Sequence, residues 1–468
     1  MKTDKSPFVS VIILNYYGEK VIENVITSLQ NLNYPKDGYE IIVVDNNSRD
    51  KSPEILKTLS EKYSNIRLIP LDKNLGFSKG NNVGIKESKG EYVALLNNDC
   101  VVSRDWLKSL VNTALSNQKV FAVASKILLY PKYLKFDLKI NPAIAPIYSW
   151  LLESTLYKLN SKKIYLNLVQ KDGLFKTEIP FDSVNDEFIV VEFVFNSKKK
   201  QLPKDLKSLV TLTTPGAEII DCIKNQDEIS YKVKINLAQK TIQKNTFSKI
   251  QNAGIIPFQD GYARDIGAVI RYSVSYYEHD EGQYDIETEV YAFCGAAVLL
   301  SKPILDKIGY LDESFFMYYE DVELSERARL NGYKIYYSPR AEVRHIHALS
   351  SKEGSGFFVY NVEKGRLLHV FYNFPKLVFL QQYLKIIIVI MYGVANTIMN
   401  IQHFKAVSRE KGFGKPSSQK TQLVKVAFFF FFHYFYLLYL RTLKKRNSSK
   451  SVIENYQQIL DGRWYFKS

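Results

Sequence analysis

Between Phe8 and Val123, short β-branched apolar runs alternate regularly with longer amphipathic segments, and this pattern most constrains what the chain can fold into. Val9–Leu14, Glu40–Val44, Ile66–Ile69, Tyr92–Leu96 and Val120–Ala124 read as strands, with segments of helical length between most of them. Strands that are apolar on both faces and joined through helices build a mostly parallel sheet covered on two sides. The expected class is therefore α/β. One helix start is marked locally: Ser52 can cap, Pro53 suits the first helical position, and Glu54 suits the positive end of the dipole.

An open sheet of this kind binds its ligand at the carboxyl ends of its strands. Tyr92–Leu96 runs directly into Asn97-Asn98-Asp99, which places amides and one carboxylate at that edge. Asp99 suits a hard divalent cation carrying phosphates, although Asn-Asn-Asp is also common turn chemistry. Asp45 ends the second run and can accept hydrogen bonds from a base or ribose, or cap a turn. Asn74 to Asn82 is rich in glycine and amides and precedes a helix, as in a nucleotide approach or a tight strand-to-helix turn. A dinucleotide-binding Gly-x-Gly-x-x-Gly turn is excluded, because Asn15-Tyr16-Tyr17-Gly18 stands in its place. A Walker-type loop is missing for the same reason, which leaves a metal to hold the phosphates.

Lysine and arginine outnumber aspartate and glutamate 63 to 48 in 468 residues, a net charge of +15 that favours anionic partners. Charge alone does not choose among nucleotide phosphates, nucleic acid and an anionic membrane. Cys100, Cys222 and Cys294 are odd in number and widely spaced, so neither a zinc site nor a disulfide framework is expected and a reducing compartment fits. The apolar run Phe8 to Leu14 follows lysines but is short and lacks a small-residue cleavage site, so it reads as the first strand.

From Phe136 to Phe247 the character changes. Ile229 to Leu237 alternates apolar and polar residues, Phe188 to Phe195 is a second strand candidate, and Ile147 to Leu159 reads as a helical lead-in. The stretch is expected to be an inserted, mainly β module. Beyond it, Cys294 to Leu300 reads as a strand entered through Gly295. In Phe315 to Leu324 an aromatic run leads into Glu320-Asp321, the first turn of a helix that ends at Asn331-Gly332. His345 follows a strand at Lys334 to Ser338, with His347 as a nearby competitor for metal ligation.

Taken in order, Val9 to Tyr16, Val43 to Ser48, Asn74 to Asn82 and Asn97 to Asp99 resemble the nucleotide-binding blocks of family 2 glycosyltransferases with the GT-A fold, in their rhamnosyltransferase-like branch; the pattern resumes at Ile250 to Gly254. The resemblance implies an inverting, metal-dependent transfer of a single sugar from a UDP- or dTDP-sugar to a lipid-linked or cell-surface glycan acceptor. It implies donor contacts from Asn15, Tyr16, Asp45, Gly76, Asn82, Asn97 and Asn98. It also implies a Mn²⁺ or Mg²⁺ ion on Asp99 and His345, the latter five residues before Ser350, and a base at Asp321 with Glu320 as the fallback. Asn98 departs from the family, where aspartate is common, and an amide is the weaker ligand. The processive relatives' Gln-x-x-Arg-Trp block is not found after Asp321, which favours single-sugar addition. A sugar nucleotidyltransferase would need a glycine-rich basic loop after the first strand; a noncatalytic glycan-binding scaffold would rest on the inserted module.

Past Phe357 two apolar segments, Leu377 to Ile401 and Leu423 to Leu440, approach the roughly 20 residues of a membrane span. Lys405, Arg409, Lys411, Lys415 and Lys420 lie between them, and Arg441, Lys444, Lys445 and Arg446 follow. A spanning hairpin would put the basic linker outside, so helices lying in the cytoplasmic leaflet against anionic headgroups are expected. The chain then divides into 1–135 (nucleotide half), 136–247 (inserted module), 248–375 (acceptor half), 376–446 (membrane-associated helices) and 447–468 (basic tail). Nucleotide sugar and anionic membrane account for the charge, with no nucleic acid partner.

Overall fold

A computed structural model of the chain describes residues 6–156, 164–171, 174–183, 185–197, 202–238, 244–271, 274–346, 355–399, 417–443 and 449–461. They form two units: Met1–Ile127 with Gln251–Ile270 and Gln283–Ser468, and Leu128–Ile250 with Arg271–Gly282.

In the first unit the expected strands appear as β1 (Val9–Asn15), β2 (Tyr39–Asp45), β3 (Ile66–Pro70), β4 (Tyr92–Asn97), β5 (Cys100–Val102) and β6 (Val120–Leu129). Helices α1 (Ile22–Gln30), α2 (Ser52–Lys62), α3 (Gly76–Lys86) and α4 (Trp106–Leu115) separate most of them. β4, β1, β2 and β3 pair in parallel, in that order. After β7 (Lys249–Asn252) and the short hairpin β8 (Ile255–Pro257) and β9 (Ala263–Asp265), β10 (Ala297–Ser301) enters antiparallel between β4 and β6. Helices α5 (Lys302–Ile308) and α6 (Glu320–Leu330) follow, then β11 (Lys334–His345), whose end pairs with β5. Ile12, Val43, Ala94 and Leu299 are fully or almost fully buried, as strands covered on both faces must be. The α/β class is as expected, but the sheet is mixed: the parallel set is confined to β4, β1, β2 and β3, while β10 runs antiparallel to both β4 and β6 and β11 runs antiparallel to β5, because the later strands return to the sheet from its other end.

Register carries function here. Asn15 pairs with Asp45, and Leu14 with Asn97, so the polar ends of β1, β2 and β4 finish in one row. The expected cap of α2 is corrected: Lys51 occupies the cap, and the Ser52 hydroxyl donates to Asp50 and accepts from Asn15.

The second unit is a β module of two five-stranded antiparallel sheets. One is built on Lys132–Ile140 and Leu174–Phe181, the other on Ile144–Glu153, Phe188–Ser197 and Glu228–Asn236. Their inward residues share a core in which the Phe136 and Phe193 rings stack at 5.4 Å. Over Ile147 to Glu153 the expected helical lead-in is a strand, and its last residues, 157–159, lie outside the described residues: Ser149 and Leu151 point inward while Tyr148 and Trp150 stay half-exposed, a period of two that the aromatic composition hid. The unit also begins earlier than expected and recruits Arg271–Gly282, because Val274–His279 pairs with Lys249 and Ile250 and His279 bonds Glu178 at 2.9 Å.

Beyond β11 come α7 (Gly356–Asn373), α8 (Lys376–Met399), α9 (Ser417–Leu443) and α10 (Ser449–Leu460). The Ser355 side chain caps α7 by accepting from the Phe358 N–H. Among the described residues, Thr421–Leu440 is the helical segment long and apolar enough to cross a membrane, with a mean hydropathy of 1.7. Phe431, Phe432 and Phe435 on it are exposed, as are Leu380, Leu384 and Ile388 on α8. His347, Ser350 and the expected basic residues between and after the apolar segments lie outside the described residues or their described side chains.

Candidate active site

The row of strand ends is tied together by one buried amide. Asn15 Nδ2 donates to Asp45 Oδ1 at 2.8 Å and to Ser52 Oγ at 2.9 Å, while its oxygen accepts from Asn98 Nδ2 at 3.0 Å. β1 therefore fixes the side chains that end β2 and follow β4. Asp45 Oδ2 also accepts from the Ser48 N–H, and the Tyr17 N–H donates to Ser48 Oγ, which holds the two loops together. Tyr16 is half-buried, stands edge-on to Tyr17 at 4.6 Å, and offers its carbonyl to Asn98.

Asn46 and Asn74 form the next layer. Asn46 donates to Asn74 Oδ1, and that oxygen also accepts the Gly76 N–H, closing the turn into α3. Gly76 has φ +79°, and a Cβ there would lie 2.6 Å from both the ring and the carbonyl oxygen of Phe316. Only glycine fits, and the close neighbour is protein backbone. Asn82 is likewise engaged at both ends of its amide by Leu311, 2.8 Å to the carbonyl and 3.1 Å from the N–H. Both residues anchor the 311–316 loop. The half-buried Asn97 donates its backbone N–H to Ala296, fixing the start of β10.

His345 and Asp99, 246 positions apart, meet. His345 Nε2 lies 3.1 Å from Asp99 Oδ1, with both side chains less than a tenth exposed. The cause is strand pairing: β5 sets Cys100 opposite His345, and Ile346 donates its N–H to the Asp99 carbonyl. His345 is the last residue of β11, a strand running well past the expected Ser338. Its Nδ1 lies 2.8 Å from Gln251 Oε1, a buried amide at the end of β7. With Nδ1 donating to that amide oxygen, Nε2 faces the carboxylate, an arrangement that would fit a divalent cation held between them. Cys100 completes a cluster whose ligating atoms lie within 4.8 Å of one another. Burial and the Asp99 carboxylate push its thiol well above the usual range.

The acidic pair arrives through a strained turn. Tyr318 and Tyr319 both adopt left-handed φ, 70° and 71°, and α6 begins at Glu320. Tyr17 (54°) and Asn47 (61°) are strained in the same way, so that among the described residues four of the five positive-φ residues other than glycine lie on loops of this site. Such backbone persists only where surroundings over-determine it. Here the Ala263 N–H donates to the Tyr319 hydroxyl, and Gly365 of α7 packs 2.8 Å from the Tyr318 carbonyl oxygen, measured from an ideal Cβ. Asp321 is half-exposed, and its two oxygens accept the N–H groups of Gly295 at 2.9 Å and Val322 at 2.8 Å. Gly295 leads into β10, which lies antiparallel beside β4, so the pair and Asp99 share one sheet edge. Burial raises the Asp321 carboxyl above its usual range; burial and Asp321 raise Glu320 further. Glu320 Oε2 is buried with no hydrogen-bond partner, consistent with a protonated acid beside an ionised one.

The structure therefore brings together Asn15, Asp45, Asn98, Asp99, His345 and Asp321 at one edge. It adds Cys100 and Gln251, which sequence reasoning missed. Gln251 lay in the recognised Ile250 to Gly254 block, but nothing local distinguishes an amide that orients a histidine 94 positions away.

Residues 10–167 match the family model "Glycosyl transferase family 2". Glycosyltransferase AglE of Haloferax volcanii is 37% identical over 24% of this chain and 36% of its own length. The poly(ribitol-phosphate) β-N-acetylglucosaminyltransferase TarP of Staphylococcus aureus is 26% identical over 52% of this chain and 74% of its own length. Among solved structures, GalNAc-T7 with UDP, GalNAc and Mn²⁺ aligns over 79% of this chain and 48% of its own, at 12% identity and a TM-score of 0.44. The chain spans about a third of the first of these curated relatives. The nucleotide-binding half, with the start of the β module, is thus similar to family 2 glycosyltransferases over residues 10–167.

Proposed function

We propose that this chain is an inverting, metal-dependent GT-A glycosyltransferase that moves a single sugar, with rhamnose as the candidate, from a UDP- or dTDP-sugar to a lipid-linked or cell-surface glycan. The observation that carries this reading is the convergence of Asp99 and His345 at 3.1 Å on the sheet edge that also carries Asp321. Asp45 and the half-buried Tyr16 would bind the nucleoside, with Asn15 holding the Asp45 carboxylate in place. Asp99 Oδ1 and His345 Nε2 would hold Mn²⁺ or Mg²⁺, which supplies charge neutralisation for the departing diphosphate.

Asp321 would take the proton from the acceptor hydroxyl as that oxygen attacks the anomeric carbon opposite the diphosphate. Its raised carboxyl is better matched to a hydroxyl than a surface aspartate is, and the two backbone N–H bonds aim it without protonating it. The partly exposed Tyr318 beside it would offer a flat surface at the acceptor side.

The exposed aromatic face of α9 and the apolar face of α8 support attachment to the cytoplasmic face of the membrane, where a lipid-linked acceptor is presented. The decisive experiment incubates purified protein with Mn²⁺ or Mg²⁺ and a panel of UDP-, dTDP- and GDP-sugars, reading donor hydrolysis and nucleotide binding. Metal-dependent hydrolysis of one donor, abolished in Asp321→Asn, is expected. No hydrolysis and no metal-dependent nucleotide binding across the panel refutes the proposal.

A further inference from the structure

The tip of the β8–β9 hairpin, the first turns of α8 and the last turns of α10 border an open cavity of about 670 Å³. Small-molecule sites commonly measure roughly 300–1,000 Å³. Three aromatic side chains, Phe258, Tyr262 and Tyr456, line it together with Asp260, Gln381 and Gln382. A single ammonium, Lys385, faces into the same space. One cation balanced by one carboxylate does not make the multivalent cationic cradle that a diphosphate needs. Amides and a carboxylate among aromatic faces do match a neutral pyranose, whose hydroxyls donate and accept while its C–H faces lie against rings.

Gln382 of α8 is buried and accepts from Arg366 at 3.5 Å. Gln381 and Lys385 interrupt a helix whose exposed positions include Leu377, Leu380, Leu384 and Ile388. Polar groups on such a face are unfavourable for membrane attachment and are accounted for by the cavity.

The cavity is also preorganised and wired to the acidic pair. Arg366 of α7 donates to the Asp260 carbonyl at 2.8 Å, and its guanidinium lies 4.4 Å from the Tyr262 ring centre. The Phe258 N–H donates to the Tyr262 carbonyl at 2.7 Å, closing the turn. Gly261 has φ +81°, and a Cβ would meet Val370 at 2.0 Å, so α7 pins the tip. On the next residue after Tyr262, the Ala263 N–H bonds the hydroxyl of Tyr319, which immediately precedes Glu320-Asp321. The two sites are joined by one short, stiff hairpin.

We propose that this cavity is an acceptor subsite that holds a neutral pyranose unit of a membrane-anchored glycan while a more distal hydroxyl reaches Asp321. The assignment rests on the glycosyltransferase reading and extends it to how the acceptor is recognised. The apolar face of α8 sets the cavity where a lipid-anchored glycan would arrive.

The test uses the full chain in detergent micelles, with N-acetylglucosamine, glucose and maltotriose as probes in saturation-transfer NMR. The variants are Gln381→Ala and Tyr262→Ala, both at exposed positions outside the nucleotide and metal residues. Wild type should bind at least one saccharide. Each variant should weaken that binding about five- to tenfold, the worth of roughly one hydrogen bond or ring contact, and leave Mn²⁺-dependent UDP binding unchanged. The inference is overturned if no saccharide binds, if both variants bind like wild type, or if glycerol phosphate binds in place of sugars and is lost in Lys385→Ala. The nucleotide titration reports on the enzyme reading and the Gln381-sensitive saccharide signal on the subsite, so the two can fail separately.

Discussion

Gln251 is the sharpest place to perturb the proposed metal site, because it touches neither the metal nor the donor. Its Oε1 lies 2.8 Å from His345 Nδ1 in a buried setting. Gln251→Met keeps volume and removes the acceptor, which leaves Nδ1 unsatisfied and lets the imidazole turn or change tautomer. The lost neutral hydrogen bond alone is worth about 1 kcal/mol, or roughly fivefold. Misdirecting Nε2 adds to this, and loss of such an outer partner ordinarily weakens metal affinity about 10- to 100-fold. Mn²⁺ titration followed by electron paramagnetic resonance, with UDP present, should show a weakening in that range while the thermal midpoint falls only modestly. Gln251→Glu, which still offers an acceptor to Nδ1, should retain most of the affinity. Unchanged Mn²⁺ affinity in Gln251→Met, or equal loss in both variants, would refute the orienting role.

Asp321→Asn should lower transfer about 10²- to 10⁴-fold, the usual contribution of a positioned base, with nucleotide affinity intact by isothermal calorimetry. Because the Asp321 carboxyl is raised, kcat of wild type should fall on acidification at a higher pH than an ordinary aspartate would give; an acid limb at the ordinary position argues against it. Glu326, buried in α6 and bonded to Asn455 of α10, has its carboxyl pushed up to about 8 by burial, against the opposing pull of Arg329. A raised folded value means stability that is complete below the unfolded value and is lost as pH rises through the folded one. Glu326→Gln should therefore unfold like wild type in mild acid and at a higher temperature than wild type above about pH 8, read by circular dichroism. Gly76→Ala should destabilise by more than about 1 kcal/mol, because the new methyl meets the backbone oxygen of Phe316; denaturant unfolding gives the value.

The nucleotide half was legible because its information is local. β1 to β4 and the helices between them follow from hydrophobic period alone, and the polar ends at Asn15, Asp45 and Asn97 to Asp99 mark where each strand emerges. The inserted module could be read as β from Ile229 to Leu237, where one face is solvated, but not at Ile147 to Glu153. There Tyr148 and Trp150 are half-exposed aromatics on a β surface, and their size masks the alternation. Gly76 and Asn82 carry a signal that no local window resolves. Glycine and amide near a helix start suit a nucleotide and a packed loop equally well, and the contacts with Phe316 and Leu311 are visible only in the fold. Of the two apolar tail segments, hydropathy set apart Thr421–Leu440, whereas Gln381, Gln382 and Lys385 spoiled the first for reasons visible only in the cavity they line.

By itself the sequence determined the α/β class, the existence of an insertion, and the residue types at the ends of the strands, since these depend on periodicity and on chemistry within a few positions. The tertiary structure alone decided whether Asp99 and His345 form one site, and it did so through strand pairing across 246 positions that sets Cys100 opposite His345. It also decided that Gln251 orients the imidazole and that Gly295 delivers two elements of the acidic site to the same edge. Long-range register of this kind is fixed by the simultaneous packing of the sheet and its covering helices, and no short window of the chain contains it.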